Sequence, residues 1–279
     1  MIIPGFILRK GKLIDEHQTQ GLSSVIVNVT WPCLVIDAMQ INYSSEIFQG
    51  CKYIFFILIM IFIAIFVIAA LVVKAFKIEK SKAGILAFML IFGNTGFIGI
   101  PVINALYGKQ AVFYASMVEM ANDILIFTIG IMLMQISAGL KTKLHLKQFL
   151  SPGIFGVLIG FAMFLANISL PGFLGRSVSI IGAATTPLSM FVIGSQLGDI
   201  RFSEIAGDMS IYAASFVKLI IVPALALFVV RYILKDVSLL ATVVIMSFAM
   251  PAAACTVIFA QQYKGDAKFA AKGVLMSTL

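Results

Sequence analysis

Two short stretches set polar groups inside apolar sequence, and both could handle ions. The first is GNTGFIGIP, residues 93–101. Asn94 and Thr95 supply an amide and a hydroxyl, each able to donate and accept. Gly96, Gly99 and Pro101 weaken or break a helix at the same place. A helix that breaks at membrane depth frees backbone groups, which only protein or a watery cavity can satisfy. The N–H groups where it restarts carry partial positive charge and suit an anion. The second stretch, MVEMANDILIF, carries Glu119, Asn122 and Asp123, and spacings of three and four put all three on one helix face. A carboxylate at that depth costs about 2.5–3.5 kcal/mol on insertion scales, so it needs a purpose or a partner. Burial favours the neutral acid, which suits a proton carrier; the same oxygens could hold Na⁺. Lys218 is the only basic residue deep in an apolar segment, and an ion pair with Glu119 or Asp123 is the structural alternative. A third stretch, ATTPLS, holds Thr185, Thr186 and Ser189, whose hydroxyls could bind helices together or face a substrate. Asp37, near the end of its segment, is expected to reach water.

These residues sit in a chain of 279 residues that is 61% hydrophobic and 11% charged, far from the composition of a soluble domain. Residues 53–73, 83–108, 151–175, 177–198 and 237–263 carry no charge, and 21–39, 111–138 and 209–230 carry one or two. Each is long enough to span roughly 30 Å of hydrocarbon as a helix. Eight complete spans follow, and residues 1–8 and 267–279 read as parts of two more. The expected fold is an all-α polytopic membrane protein of ten helices, the first and last incomplete. No secretory signal is expected, because the first charges follow the apolar stretch.

The net charge of +8 is a topology signal. If the spans alternate, fourteen lysines and arginines fall on one side and five on the other. That bias places the first side in the cytoplasm and both chain ends outside. It leaves no basic patch for nucleic acid. Cys33, Cys51 and Cys255 form no CxxC pair, and His17 and His145 lie in basic loops, so no metal site is expected. Walker, HExxH and GxSxG patterns are missing, as is a paired nucleophile and base. An enzyme is therefore not expected.

The helix breakers recur. Pro32 and Pro101 lie in spans 2 and 4, 69 residues apart; Pro187 and Pro251 lie in spans 7 and 9, 64 apart. Five spans per half is odd, so the second half enters the membrane from the opposite side. Residues 1–138 and 149–279 thus read as an inverted repeat with two broken helices. The link at 141–148, KTKLHLKQ, is too short for a soluble domain.

GNTGFIGIPVINALYG resembles the signature of the auxin efflux carrier family. AMPAAACTVIFAQQY resembles the family's second crossover, and ATTPLSMFVIGSQL its seventh span. The resemblance implies a fold of the bile-acid sodium symporter type, with spans 1, 2, 6 and 7 as scaffold and spans 3–5 and 8–10 as transport core. Broken spans 4 and 9 would cross near its centre. Members move organic anions such as auxin, malate and malonate across the cell membrane by alternating access. By that resemblance Asn94 and Thr95 would hold a carboxylate, at a crossover completed by Gly96, Gly99, Pro101, Pro251, Ala252 and Ala253. Glu119, Asn122, Asp123 and Lys218 would couple or brace the core, while Thr185, Thr186 and Ser189 would face it from the scaffold. The chain lacks the long central loop of plant members, as bacterial members do. It has Ala252 and Ala253 where plant members are more polar, which favours a small carboxylate over an indole acid. The implied partners are a small organic anion and membrane lipid, with a homodimer left open. No cofactor is implied beyond coupling H⁺ or Na⁺. The rival readings are a Na⁺-coupled symporter of another solute and a membrane ligand sensor that does not transport.

Overall fold

The computed structural model describes residues 2–142, 152–198 and 209–279. Lys143, His145, Lys147 and Arg201, read as loop residues in the sequence, lie outside the described residues. Among those described there is no β-strand, only one isolated antiparallel bridge between Gly93 and Ala252. The helices are α1 (Ile2–Lys10), α2 (Glu16–Val25), α3 (Trp31–Met39), α4 (Ser45–Ala75), α5 (Lys80–Ile91), α6 (Ile100–Leu125) and α7 (Ile131–Ser137). After the link come α8 (Pro152–Ala166), α9 (Gly172–Ala183), α10 (Thr185–Gly198), α11 (Met209–Phe216), α12 (Val222–Leu227), α13 (Leu239–Phe248), α14 (Cys255–Gln262) and α15 (Ala267–Thr278).

Local chemistry explains several boundaries. Asp15 caps α2 in a reciprocal box with Gln18, and Ser238 and Asp266 cap α13 and α15. The wide π-turns Ile26–Thr30, Thr95–Gly99 and Val217–Ile221 each end just before Pro32, Pro101 or Pro223. Proline lacks the N–H and crowds the preceding turn, so the chain widens there without stopping. Gly108 (φ 72°, ψ −166°) turns the chain inside α6, a conformation a side chain disfavours.

Five helical runs are long and apolar enough to cross a membrane: Glu16–Met39, Ser45–Ala75, Thr95–Ser137, Gly172–Gln196 and Met209–Ile233. Three of the eight segments read as spans are not single continuous helices. In 83–108 the helix stops at Ile91, with Phe92 in extended backbone. In 237–263 it stops at Phe248 and resumes at Cys255. In 151–175, Asn167 takes a left-handed conformation (φ 52°) and ends α8. Pro187 makes no gap, because it falls in the first turn of α10, where its missing N–H has no partner to lose.

α4 shows what surrounds the molecule. Ile54, Ile57, Leu58, Ile61 and Ile65 are buried, yet on the other face Phe56, Ile59, Ile63, Val67 and Leu71 are 54–60% exposed. A helix apolar on its exposed face as well as its buried one belongs in lipid. The chain is a multi-pass membrane protein.

The fold divides into two compact units. Unit 1 comprises Met1–Lys52, Gly96–Met120 and Phe149–Ile200. In it α8 lays Gly153, Gly156 and Gly160 against Trp31, Pro32 and Met39 of α3, where any side chain would collide. α9 and α10 run antiparallel to α2 and α3: Gly182 packs on the Leu34 backbone, and Ser195 Oγ meets Thr19 Oγ1 at 2.8 Å. Small residues that let backbones approach are the usual glue between helices in lipid. Unit 2 comprises Tyr53–Thr95, Ala121–Gln148 and Arg201–Leu279. α5 runs through it with Gly84 to Ile91 all buried. Gly84 packs on α7, and Gly273 of α15 packs on Met89.

Candidate functional site

A polar interior of unit 2 lies where α5 ends. Phe92, Gly93 and Asn94 leave the helix and pair with the segment between α13 and α14. Asn94 N–H donates to Pro251 O at 2.8 Å, and Ala253 N–H donates to Phe92 O at 3.1 Å. The two non-helical segments thus satisfy each other's backbone groups, as membrane depth demands. Ala252 N–H donates to Ser277 Oγ at 3.1 Å, and Thr256 Oγ1 donates to Ala253 O. Ala252 and Ala253 are buried and Pro251 is half-buried.

Side chains complete the knot. Asn122, 3% exposed, donates through Nδ2 to Thr95 Oγ1 at 3.1 Å and to Gly93 O at 3.5 Å. Thr95 is buried, while Asn94 is half-buried. Among the described residues nothing bonds the Asn94 side-chain amide. In a Thr95→Val, Asn122→Leu double-mutant cycle the pair should show a coupling of about 1 kcal/mol. Unfolding of the four proteins in detergent measures it.

Lys218 lies at the end of α5. An ion pair with Glu119 or Asp123 was the structural alternative for its ammonium; it donates to Leu90 O at 3.3 Å and Ile91 O at 3.4 Å. These are the last two carbonyls of α5, at the negative end of the helix dipole. Asp123 is half-buried in unit 2.

Unit 1 carries the remaining polar residues. Glu119 is 6% exposed, and its Oε1 lies 2.5 Å from where a Cβ on Gly96 would stand. Gly96 must therefore remain bare to admit the carboxylate. Gly99 and Pro101 are buried. Asn104 Nδ2 donates to Thr186 Oγ1 at 3.3 Å. Thr185 and Ser189 are at most 1% exposed, and their hydroxyls have no partner among the described residues. Thr30 Oγ1 and Trp31 Nε1 are buried and unpartnered as well. The antiparallel register fixed by Gly182 at Leu34 and Ser195 at Thr19 sets Thr185 level with Thr30. Among the described residues of this unit these are four buried polar atoms left without a partner, and each calls for an explanation. Thr30 and Trp31 were not foreseen, since neither residue type advertises a missing partner.

Asp37 was expected to reach water. Its side chain is only 10% exposed and pairs with Lys109 Nζ at 2.6 Å, with Ser179 Oγ donating at 3.3 Å. Lys109 itself is 59% exposed, so the pair is partly screened. Lys109→Met should lower stability by less than about 1 kcal/mol, and the difference should shrink in high salt. Thermal unfolding at two salt concentrations checks this.

Among the described residues the paired segments of unit 2 bring together amide, hydroxyl and carbonyl groups and the Lys218 ammonium. The chain is 25% identical to an uncharacterised transporter of Methanocaldococcus jannaschii, over all of this chain and 91% of the relative. It is 22% identical to another uncharacterised transporter, from Methanothermobacter thermautotrophicus, over all of this chain and again 91% of the relative. It is 20% identical to the lysosomal cholesterol signaling protein of Mus musculus, over all of this chain but 35% of that protein. The model of a family described as membrane transport protein matches residues 1–143 and 138–279, which together span the chain. With the GNTGFIGIP stretch at the heart of the paired segments, the chain belongs to the auxin efflux carrier family of membrane transport proteins.

Proposed function

We propose that the protein is a secondary transporter that moves a small organic anion, such as malate or malonate, across the cytoplasmic membrane by alternating access. The observation that carries this reading is Asn94. Its backbone is fixed to Pro251 while its amide has no partner among the described residues. A fixed, unoccupied donor beside two helix starts, at Thr95 and Cys255, suits a carboxylate. In this reading the gaps near Gly93 and Ala252 are the broken helices of an inverted repeat. Pro101 and Pro251 keep them broken, and Gly96, Gly99, Ala252 and Ala253 keep the walls small. Spans 3–5 and 8–10 form the moving core, and Thr185, Thr186 and Ser189 offer hydroxyls from the scaffold. Glu119 and Asp123 are the coupling candidates, with Asn122 bracing the core, and both chain ends face outside.

The test is uptake into proteoliposomes of a panel of mono- and dicarboxylates, with and without Na⁺ and a pH gradient. Saturable uptake of at least one small carboxylate is expected. Uptake of a sugar or cation with none of the carboxylates moving would overturn the anion reading. The sensor alternative draws on the mouse relative, a signaling protein by name; binding without counterflow of labelled ligand would favour it.

A further inference from the structure

Among the described residues Lys218 is the largest fully buried polar side chain, at 1% exposure. A continuing helix would bond Leu90 O to the N–H of Asn94, four residues on. That N–H is committed to Pro251 O instead. The pairing of the two segments therefore strips a carbonyl at the end of α5 of its helical donor, and Lys218 Nζ replaces it. The same ammonium reaches Ile91 O and would lie 3.6 Å from a Cβ on Gly93. Ala252, Ser277 and Gly273 help enclose the remaining void, of about 10 Å³, which holds at most one water. Exposed carbonyls at a helix end are also the ligands that hold coupling alkali cations in transporters built on interrupted helices. Here they face an ammonium, which has three donors and no acceptor, and the void that Lys218 helps to line is too small for a hydrated ion.

We infer that Lys218 supplies, from within the chain, the positive charge that a bound metal cation would otherwise bring to the end of α5, so that transport runs without Na⁺. This rests on the transport reading above and makes Lys218 a positioning residue, acting through the carbonyls that shape the Gly93–Asn94 turn.

The experiment measures counterflow of labelled malonate in proteoliposomes with Na⁺ or choline as the cation. The wild-type rate should be the same in both. Lys218→Ser should lose about tenfold or more in choline, as expected for a lost charge-assisted bond, and regain rate with Na⁺ or ethylammonium. Lys218→Gln keeps a neutral donor in the void and should stay impaired with either cation. A wild-type rate that requires Na⁺ would overturn the inference, as would a Lys218→Gln rate equal to wild type. Thermal unfolding in detergent decides the matter without transport. The wild-type midpoint should not distinguish NaCl from choline chloride, while that of Lys218→Ser should rise with ethylammonium. A Na⁺-specific rise in the wild type, or no response of Lys218→Ser to either cation, would overturn it. If malonate does not move at all, the transport reading fails for that substrate, and the unfolding result still decides the role of Lys218.

Discussion

Gly84→Ala is expected to lower the stability of unit 2 by about 2–4 kcal/mol, combining overpacking with a lost buried hydrogen bond. The new Cβ would overlap the Leu133 carbonyl oxygen and stand 2.6 Å from Ser137 Oγ. A side chain could rotate away from such a collision; a backbone carbonyl inside α7 cannot. The helices must separate, and Gly84 N–H then loses its 2.6 Å bond to Ser137 Oγ. Separation would also disturb the α5 surface around Phe88 and Phe92, which packs against Gly130. Gly21 is the control. It lies inside α2, with nothing within 4 Å of where a methyl would stand, so Gly21→Ala should be neutral or stabilise by up to about 1 kcal/mol through helix propensity. Unfolding midpoints of the two variants in one detergent make the comparison. Equal midpoints would mean that α5 and α7 are not in the close contact described.

What was legible in the sequence follows from which interactions leave a mark there. Lipid-facing helices announce themselves by runs such as the one in α4, because both faces must be apolar. The interruptions near Gly93 and Pro251 were signalled by residues that disfavour helix. Pro187 carried the same signal without the effect, because proline in a first turn removes no bond, and the helix start at Thr185 has no strong sequence marker. Partners across the fold were harder. Lys218 suggested a carboxylate by charge, but its partners are backbone carbonyls, which every residue possesses. Asp37 looked solvated because Lys109 lies more than seventy positions away in sequence. Thr30 and Trp31 looked like ordinary span residues, and only the register of α9 and α10 sets Thr185 level with Thr30. Asn94 and Thr95 were legible because polar groups at membrane depth carry a cost that calls for a reason.

Asn94→Ala is the sharpest separation of site from scaffold. The side-chain amide makes no bond among the described residues, and the bond that fixes this position, to Pro251 O at 2.8 Å, belongs to the backbone. Alanine keeps that N–H. Stability should therefore stay within about 0.5 kcal/mol of wild type, as for substitutions that break no named feature. Carboxylate transport should nevertheless fall by about tenfold or more, the worth of one hydrogen bond to a charged ligand. Asn94→Asp is expected to be worse than alanine, because a carboxylate there repels the anion as well as losing a donor. Proteoliposome uptake beside unfolding midpoints for the three proteins reads both quantities. Loss of transport together with loss of stability would make Asn94 a structural residue, contrary to its free amide. Unchanged transport in Asn94→Ala would move the carboxylate elsewhere, first to the unpartnered hydroxyls of Thr185 and Ser189. With Thr30 Oγ1 and Trp31 Nε1, those are the buried groups, among the described residues, able to donate to an anion without giving up a bond they already have.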